Sequence, residues 1–125
     1  MKCLVVDDSP TMRRIVVNAL KAIGYAETVE AGDGVEALAR CDGTVGLIIT
    51  DWNMPNMGGL DLVKNLRGKP ETAATPILMV TTRSVREDIL SAVQAGVNNY
   101  IVKPFTPATL KEKIDAMLAS TAAAA

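Results

Sequence analysis

A chain of 125 residues with 49% hydrophobic and 22% charged side chains has the balance of one globular domain, and its 13 Lys plus Arg against 14 Asp plus Glu give no general attraction for nucleic acid. No apolar run approaches the roughly 18 residues of a membrane span, and the first residues lack the pattern of a signal peptide, so a cytoplasmic location without membrane insertion is expected. Histidine is absent, which removes Ser/His and Cys/His catalysis and histidine metal ligands from the chain's own repertoire.

The first apolar run, KCLVV from Lys2, reads as a strand and ends on Asp7 and Asp8. Ser9-Pro10 then places a capping hydroxyl before a proline at the first helical position. Ile15, Val16, Ala19, Leu20 and Ile23 follow at three- and four-residue steps, predicting a helix with one buried face that Gly24 closes. A weak second strand, ETVEA from Glu27, precedes a short helix from Gly34 to Arg40. VGLIIT from Val45 is the third strand; it ends on Thr50 and Asp51, and a helix from Gly59 to Arg67 follows. PILMVT from Pro76 ends on Thr81 and Thr82, after which Val85, Ile89 and Val93 mark the buried face of a fourth helix capped by Gly96. YIVK from Tyr100 ends on Lys103, and Leu110, Ile114, Met117 and Leu118 form the stripe of the fifth helix. Ser120 to Ala125 holds few large apolar groups and is expected to fray, which bounds the domain at residues 1–119 with 120–125 as an Ala-rich tail. Cys3, in an apolar run, and Cys41, near a loop, read as reduced thiols.

The alternation predicts an α/β fold: a (βα)5, doubly wound, five-stranded parallel sheet with helices on both faces. Parallel neighbours need crossovers, and near-continuous apolar strands need cover on both sides. In such a sheet the strand ends lie along one edge, where ligands bind at the point of reversing strand order. Asp7, Asp8, Asp51, Thr81 and Lys103 should therefore converge. Each alone has a plainer reading, as a helix cap, a strand residue or a solvated charge. Together they pose an electrostatic problem: two carboxylates about 5 Å apart at an effective dielectric near 20 repel by about 3 kcal/mol. Lys103 supplies one positive charge, and a hard divalent ion that keeps part of its water, Mg²⁺, suits the remainder. A carboxylate beside that ion can attack phosphorus in line, with the Thr81 hydroxyl and Lys103 on the phosphoryl oxygens, which makes Asp51 a phosphate acceptor.

The segments VVDDSPTMR, IITDWNMPNMGGLDL, PILMVTT and AGVNNYIVKPF together resemble the receiver domains of two-component response regulators, most closely the stand-alone chemotaxis members, from Met1 to Leu118. The resemblance implies a flavodoxin-like strand order 2-1-3-4-5, Asp51 as phospho-acceptor, and a sensor histidine kinase whose phosphohistidine is the donor. It implies Mg²⁺ held by Asp8, Asp51 and the backbone carbonyl of Asn53, with Asp7 acting mainly through water. It also implies a switch pair, Thr81 and Tyr100, and a Lys103-Pro104 peptide of a kind often held cis. Asn53 and Arg83 occupy positions that modulate phosphate lifetime, and Gly58 stands where an acidic residue is frequent, so the lifetime is left open. Output is expected through the face of the fourth helix, fifth strand and fifth helix around Tyr100. That face would dock a downstream protein such as a flagellar motor switch component, with a phosphatase as a further partner. A phosphorelay intermediate is the nearest alternative. A Mg²⁺-dependent phosphatase would need a substrate pocket and multiple turnover, and a flavin carrier would need phosphate-binding donors where Asp7 and Asp8 stand.

Overall fold

The computed structural model describes residues 2–52, 54–81, 86–103 and 105–124, of which 86–89 and 120–124 by backbone alone. Asn53, Thr82, Arg83, Val85, Pro104 and the Ile89 side chain lie outside the described residues, and so do the expectations attached to them. Within the description, strands and helices alternate as β1 (Lys2–Val6), α1 (Pro10–Ala22), β2 (Glu27–Ala31), α2 (Gly34–Arg40), β3 (Val45–Asp51), α3 (Gly59–Arg67), β4 (Ile77–Thr81), α4 (Arg86–Ala95), β5 (Asn99–Val102) and α5 (Pro107–Ala124). Each strand pairing is parallel, in the order β2-β1-β3-β4-β5.

The two-residue period of the strands sorts their side chains into two cores. Cys3, Val5, Leu47, Ile49, Leu78, Val80 and Ile101 pack with Val16 and Leu20 of α1 and Leu110, Ile114 and Met117 of α5. Their neighbours Leu4, Val6, Ile48, Ile77 and Met79 turn the other way, onto Leu62, Val63 and Leu66 of α3 and Ala92 of α4. Each fully buried Leu or Ile contributes about 1.5–3 kcal/mol from apolar burial. β2 reads weakly because it is an edge strand, with Glu27 and Glu30 exposed and only Ala31 fully buried. Charge on such an edge discourages pairing with other chains.

Ser9 caps α1, its hydroxyl accepting from the Met12 N–H at 3.3 Å, and Pro10 opens the helix. Two expected core positions fall outside the core. Ile15 is 47% and Val93 54% exposed, while Val17 and Ala92 take the buried places. A three- and four-residue spacing admits two neighbouring stripes on one helix, and the packing of α1 against both β1 and α5 selects the stripe through Val16, Val17 and Leu20. The α5 backbone continues to Ala124, in keeping with alanine's high helix propensity.

Arg67, at the end of α3, is a hub at the edge of the sheet opposite the carboxylates. Its guanidinium donates to the carbonyls of Gly96, Thr72, Ala73 and Thr75 and to Oδ1 of Asn98, at distances from 2.7 to 3.2 Å. Asn98 Oδ1 also accepts from the Ile77 N–H at 2.9 Å. Burial lowers the Arg67 pKa, but no described carboxylate pairs with it, so its acceptors are carbonyl dipoles.

Gly24 and Gly96 both have positive φ, 103° and 113°, as helix-terminating glycines do. They differ in space: a Cβ on Gly24 meets nothing within 4 Å, whereas one on Gly96 would sit 2.9 Å from Arg67 Cγ. Gly24→Ala should cost about 1–2 kcal/mol for the left-handed backbone alone. Gly96→Ala should cost more, because the Arg67 stem must also shift; chemical denaturation of the two variants side by side measures the difference.

Candidate functional site

The register of the sheet brings the polar strand ends level. Val6 pairs with Thr50, so Asp7 and Asp51 each follow as the next residue on adjacent strands. Asp51 pairs with Val80 and Thr81 with Val102, which places Thr81 and Lys103 on the same edge. The Lys103 N–H donates to the Thr81 carbonyl at 2.8 Å. The chain runs from β1 outward to β2 on one side and from β3 outward to β4 and β5 on the other, so strand order reverses between β1 and β3, where the carboxylates stand.

Asp7, Asp8 and Asp51 each offer a carboxylate oxygen, and these lie within 4.8 Å of one another. Asp7 is only 3% exposed. Its Oδ1 accepts from the Ser9 N–H at 2.9 Å and its carbonyl from Arg13 Nη1 at 2.7 Å, so the first turn of α1 holds it in place. Arg13 is fixed in turn by Glu30 at 3.2 Å. Asp51 is held by the Trp52 N–H, 2.8 Å from Oδ1, and Asp8 faces solvent. Lys103 Nζ sits between the two inner carboxylates, 3.4 Å from Asp7 Oδ2 and 3.3 Å from Asp51 Oδ1.

Among the described residues, the Lys103 ammonium pairs with two of the three carboxylates. The Asp51 pKa lies above its ordinary value: burial is the main cause and the Asp7 charge the next, outweighing Lys103 and the Trp52 N–H. An oxygen-only donor set with one solvent-exposed member, in which Asp7 already spends both oxygens on protein partners, fits a Mg²⁺-sized ion that retains water.

The sequence expectation that these groups gather at one edge is met for Asp7, Asp8, Asp51 and Lys103, with Thr81 beside them in register. Tyr100 lies apart. It pairs with Met79, packs half-buried on the α3 and α4 side, and has Lys113 Nζ 5.1 Å from its ring centroid. A cavity of about 350 Å³ lined by Tyr100, Phe105, Thr109 and Lys113 opens beside it. Arg13 escaped the sequence reading; its signal was a basic residue one turn into the helix that follows the paired aspartates. Thr50, fully buried with its hydroxyl on the Asp51 carbonyl at 3.1 Å, is a support of the site that read only as the end of a strand.

Fold and site together define an open, doubly wound α/β domain with an acidic hollow at its switch point. A family model for the response regulator receiver domain matches residues 3–115, and the chain belongs to that family. It is 52% identical over 120 residues to chemotaxis protein CheY1 of Helicobacter pylori, spanning 94% of this chain and 97% of that one. It is 55% identical over 116 residues to chemotaxis protein CheY-3 of Vibrio cholerae, spanning 92% and 89%. Among solved structures, the chemotaxis response regulator CheY4 of Vibrio cholerae aligns with a TM-score of 0.84 at 39% identity, over 93% of this chain and 97% of that chain. Among the described residues no helix is long and apolar enough to cross a membrane.

A raised carboxyl pKa means that the folded protein keeps the Asp51 proton to higher pH than the unfolded chain does. Stability from this group is therefore lost as pH rises from the ordinary carboxylate range through the raised value, and stays lower above it. Metal-free Asp51→Asn should be more stable than wild type at neutral pH, with the gain vanishing in acid. Saturating Mg²⁺ should narrow or reverse the order, since an ion at a hundred times its dissociation constant stabilises by about 2.7 kcal/mol. Urea unfolding with chelator and with Mg²⁺ reads both effects.

Proposed function

We propose that the protein is a phosphorylation-driven signalling switch in which Asp51 accepts a phosphoryl group from the phosphohistidine of a sensor kinase, in a chemotaxis pathway. The observation that carries this reading is the convergence of Asp7, Asp8 and Asp51, with the Lys103 ammonium between the first and the last. The chemotaxis assignment rests on the relatives' names and on likeness across nearly their whole length.

When bound, Mg²⁺ supplies neutralisation of the phosphoryl oxygens and of the carboxylates facing them. Asp8 and Asp51 would hold it, with the Asn53 carbonyl as the third protein ligand the family pattern implies and Asp7 acting through water. An Asp51 carboxylate oxygen attacks phosphorus as the phosphorus–nitrogen bond to the donor imidazole breaks; the bonding pair stays on that nitrogen, which picks up a proton, and Asp51 becomes an acyl phosphate. Its partial burial leaves the Asp51 carboxylate less hydrated than a free one, which favours attack. Lys103, freed from part of its pairing with Asp51, neutralises a phosphoryl oxygen, and the Thr81 hydroxyl donates to another.

The consequence is conformational. Drawing Thr81 toward the phosphoryl group alters the packing of β4 against β5, and with it the seat of Tyr100. The face of α4, β5 and α5 then binds its target, for which a flagellar motor switch component is the candidate. Phosphorylation shifts this equilibrium only by its differential interaction with the two states. In this reading the protein assists its own phosphorylation and dephosphorylation but turns over no separate substrate.

Incubation with radiolabelled acetyl phosphate tests the assignment. Wild type should take up acid-stable label only with Mg²⁺, Asp51→Asn should take up none, and Lys103→Gln should label about a hundredfold more slowly, as loss of one oxyanion donor does. Normal labelling of Asp51→Asn would refute the acceptor.

A further inference from the structure

Seven residues, 52–58, separate the proposed acceptor Asp51 from Gly59, and the structure describes all of them but residue 53. The described part is pinned at its base, where the Gly59 N–H donates to the Trp52 carbonyl at 2.9 Å and Gly59 lies too close to the Asp51 carbonyl to admit a side chain. Their far end is Asn56, whose φ of 66° makes it the non-glycine residue of positive φ among those described. Asparagine tolerates this conformation better than most residues but does not prefer it, so outside contacts should be holding it.

Those contacts come from the turn between β2 and α2. Asn56 Nδ2 donates to Asp33 Oδ2 at 2.7 Å, while Asp33 Oδ1 caps α2 by accepting from the Glu36 N–H at 2.8 Å. The Gly34 N–H donates to the Met57 carbonyl at 3.1 Å. The approach is so close that a Cβ on Gly34 would lie 2.8 Å from that carbonyl oxygen and 2.6 Å from Met57 Cγ. The Asp33 pKa is lowered, first by the Glu36 N–H and then by the Asn56 amide, so the carboxylate is ionised at neutral pH.

We infer that Asp33 and Asn56 are positioning residues for the metal site: the hydrogen bond between them ties the loop after Asp51 to the end of α2 and fixes its geometry before the cation arrives. This rests on the proposed Mg²⁺ ligand set of Asp8, Asp51 and the Asn53 carbonyl, the last of which belongs to this loop. Neither residue touches the ion; they restrict the loop so that binding need not order it. Because the bond is exposed, it contributes little to global stability. Loss of the tether should therefore weaken Mg²⁺ binding while the thermal midpoint without metal moves by only a few degrees.

The experiment is a Mg²⁺ titration followed by Trp52 fluorescence and by the metal-induced rise in thermal midpoint, on wild type and three variants. Asn56→Gly keeps the positive φ accessible but removes the side-chain bond and adds backbone freedom to the loop; its Mg²⁺ dissociation constant should rise roughly threefold to tenfold, and the charge-swapped double variant below separates the bond from the backbone effect. Asn56→Asp sets two carboxylates against each other. The added negative charge alone would tighten cation binding, whereas a repelled tether loosens it, and loosening is expected. The double variant Asp33→Asn with Asn56→Asp keeps the total charge, exchanges donor and acceptor, and should recover binding to within about twofold of wild type. Wild-type affinity in Asn56→Gly, tighter binding in Asn56→Asp, or a double variant no better than Asn56→Asp would each overturn the inference. A wild type that ignores Mg²⁺ by both measurements would sink the metal reading and this one with it, whereas a binding wild type matched by Asn56→Gly sinks the tether alone.

Discussion

The structure turns on an electrostatic imbalance that folding creates and does not remove. Three carboxylates are drawn within 4.8 Å of one another, and the Lys103 ammonium reaches two of them. In water these groups would stay apart. Here the parallel sheet leaves no choice, because Asp7 and Asp51 follow residues that pair with each other in adjacent strands. The hydrophobic burial of Leu4, Val5, Ile48 and Ile49 fixes that register, and a slip of one residue would turn each of these side chains to the wrong face. Core packing thus sustains a charge arrangement that is unfavourable without a counterion, and burial together with the Asp7 charge raises the Asp51 pKa there.

The supports of the site come from different parts of the chain and do different work. Arg13 and the Ser9 N–H hold Asp7 from α1, Trp52 holds Asp51 from within its own loop, and Asp33 reaches that loop from the start of α2. Each is a short hydrogen bond at the edge of the sheet where polar groups and water meet. Geometry is consequently set by many small contacts, while stability resides in the two cores behind them.

The elements were legible because their signals were local. Strand β1 is a compact apolar run, Ser9-Pro10 marks the start of α1, and Gly24 and Gly96 mark helix ends by a backbone conformation that few residues adopt. The gathering of Asp7, Asp8, Asp51 and Lys103 was also legible, since a parallel sheet forces strand ends to one edge. The exposure of Ile15 and Val93 was not, because neighbouring helical stripes are distinguished only by what packs on them. Nor were the tethers from Arg13 and Asp33. Their partners are a backbone carbonyl and an amide whose nearness depends on the path of a loop, and a loop's path leaves little trace in composition. The strand order came from likeness to known receivers, which periodicity cannot supply.

Arg67 bears on how such a molecule can move. By gathering carbonyls from the 72–75 stretch and from Gly96, it fastens the carboxyl-terminal end of α4 to the tip of α3. A rod anchored at one end can pivot but cannot slide. A rearrangement of α4 that kept these bonds would therefore displace its opposite, amino-terminal end more than the end that Arg67 holds.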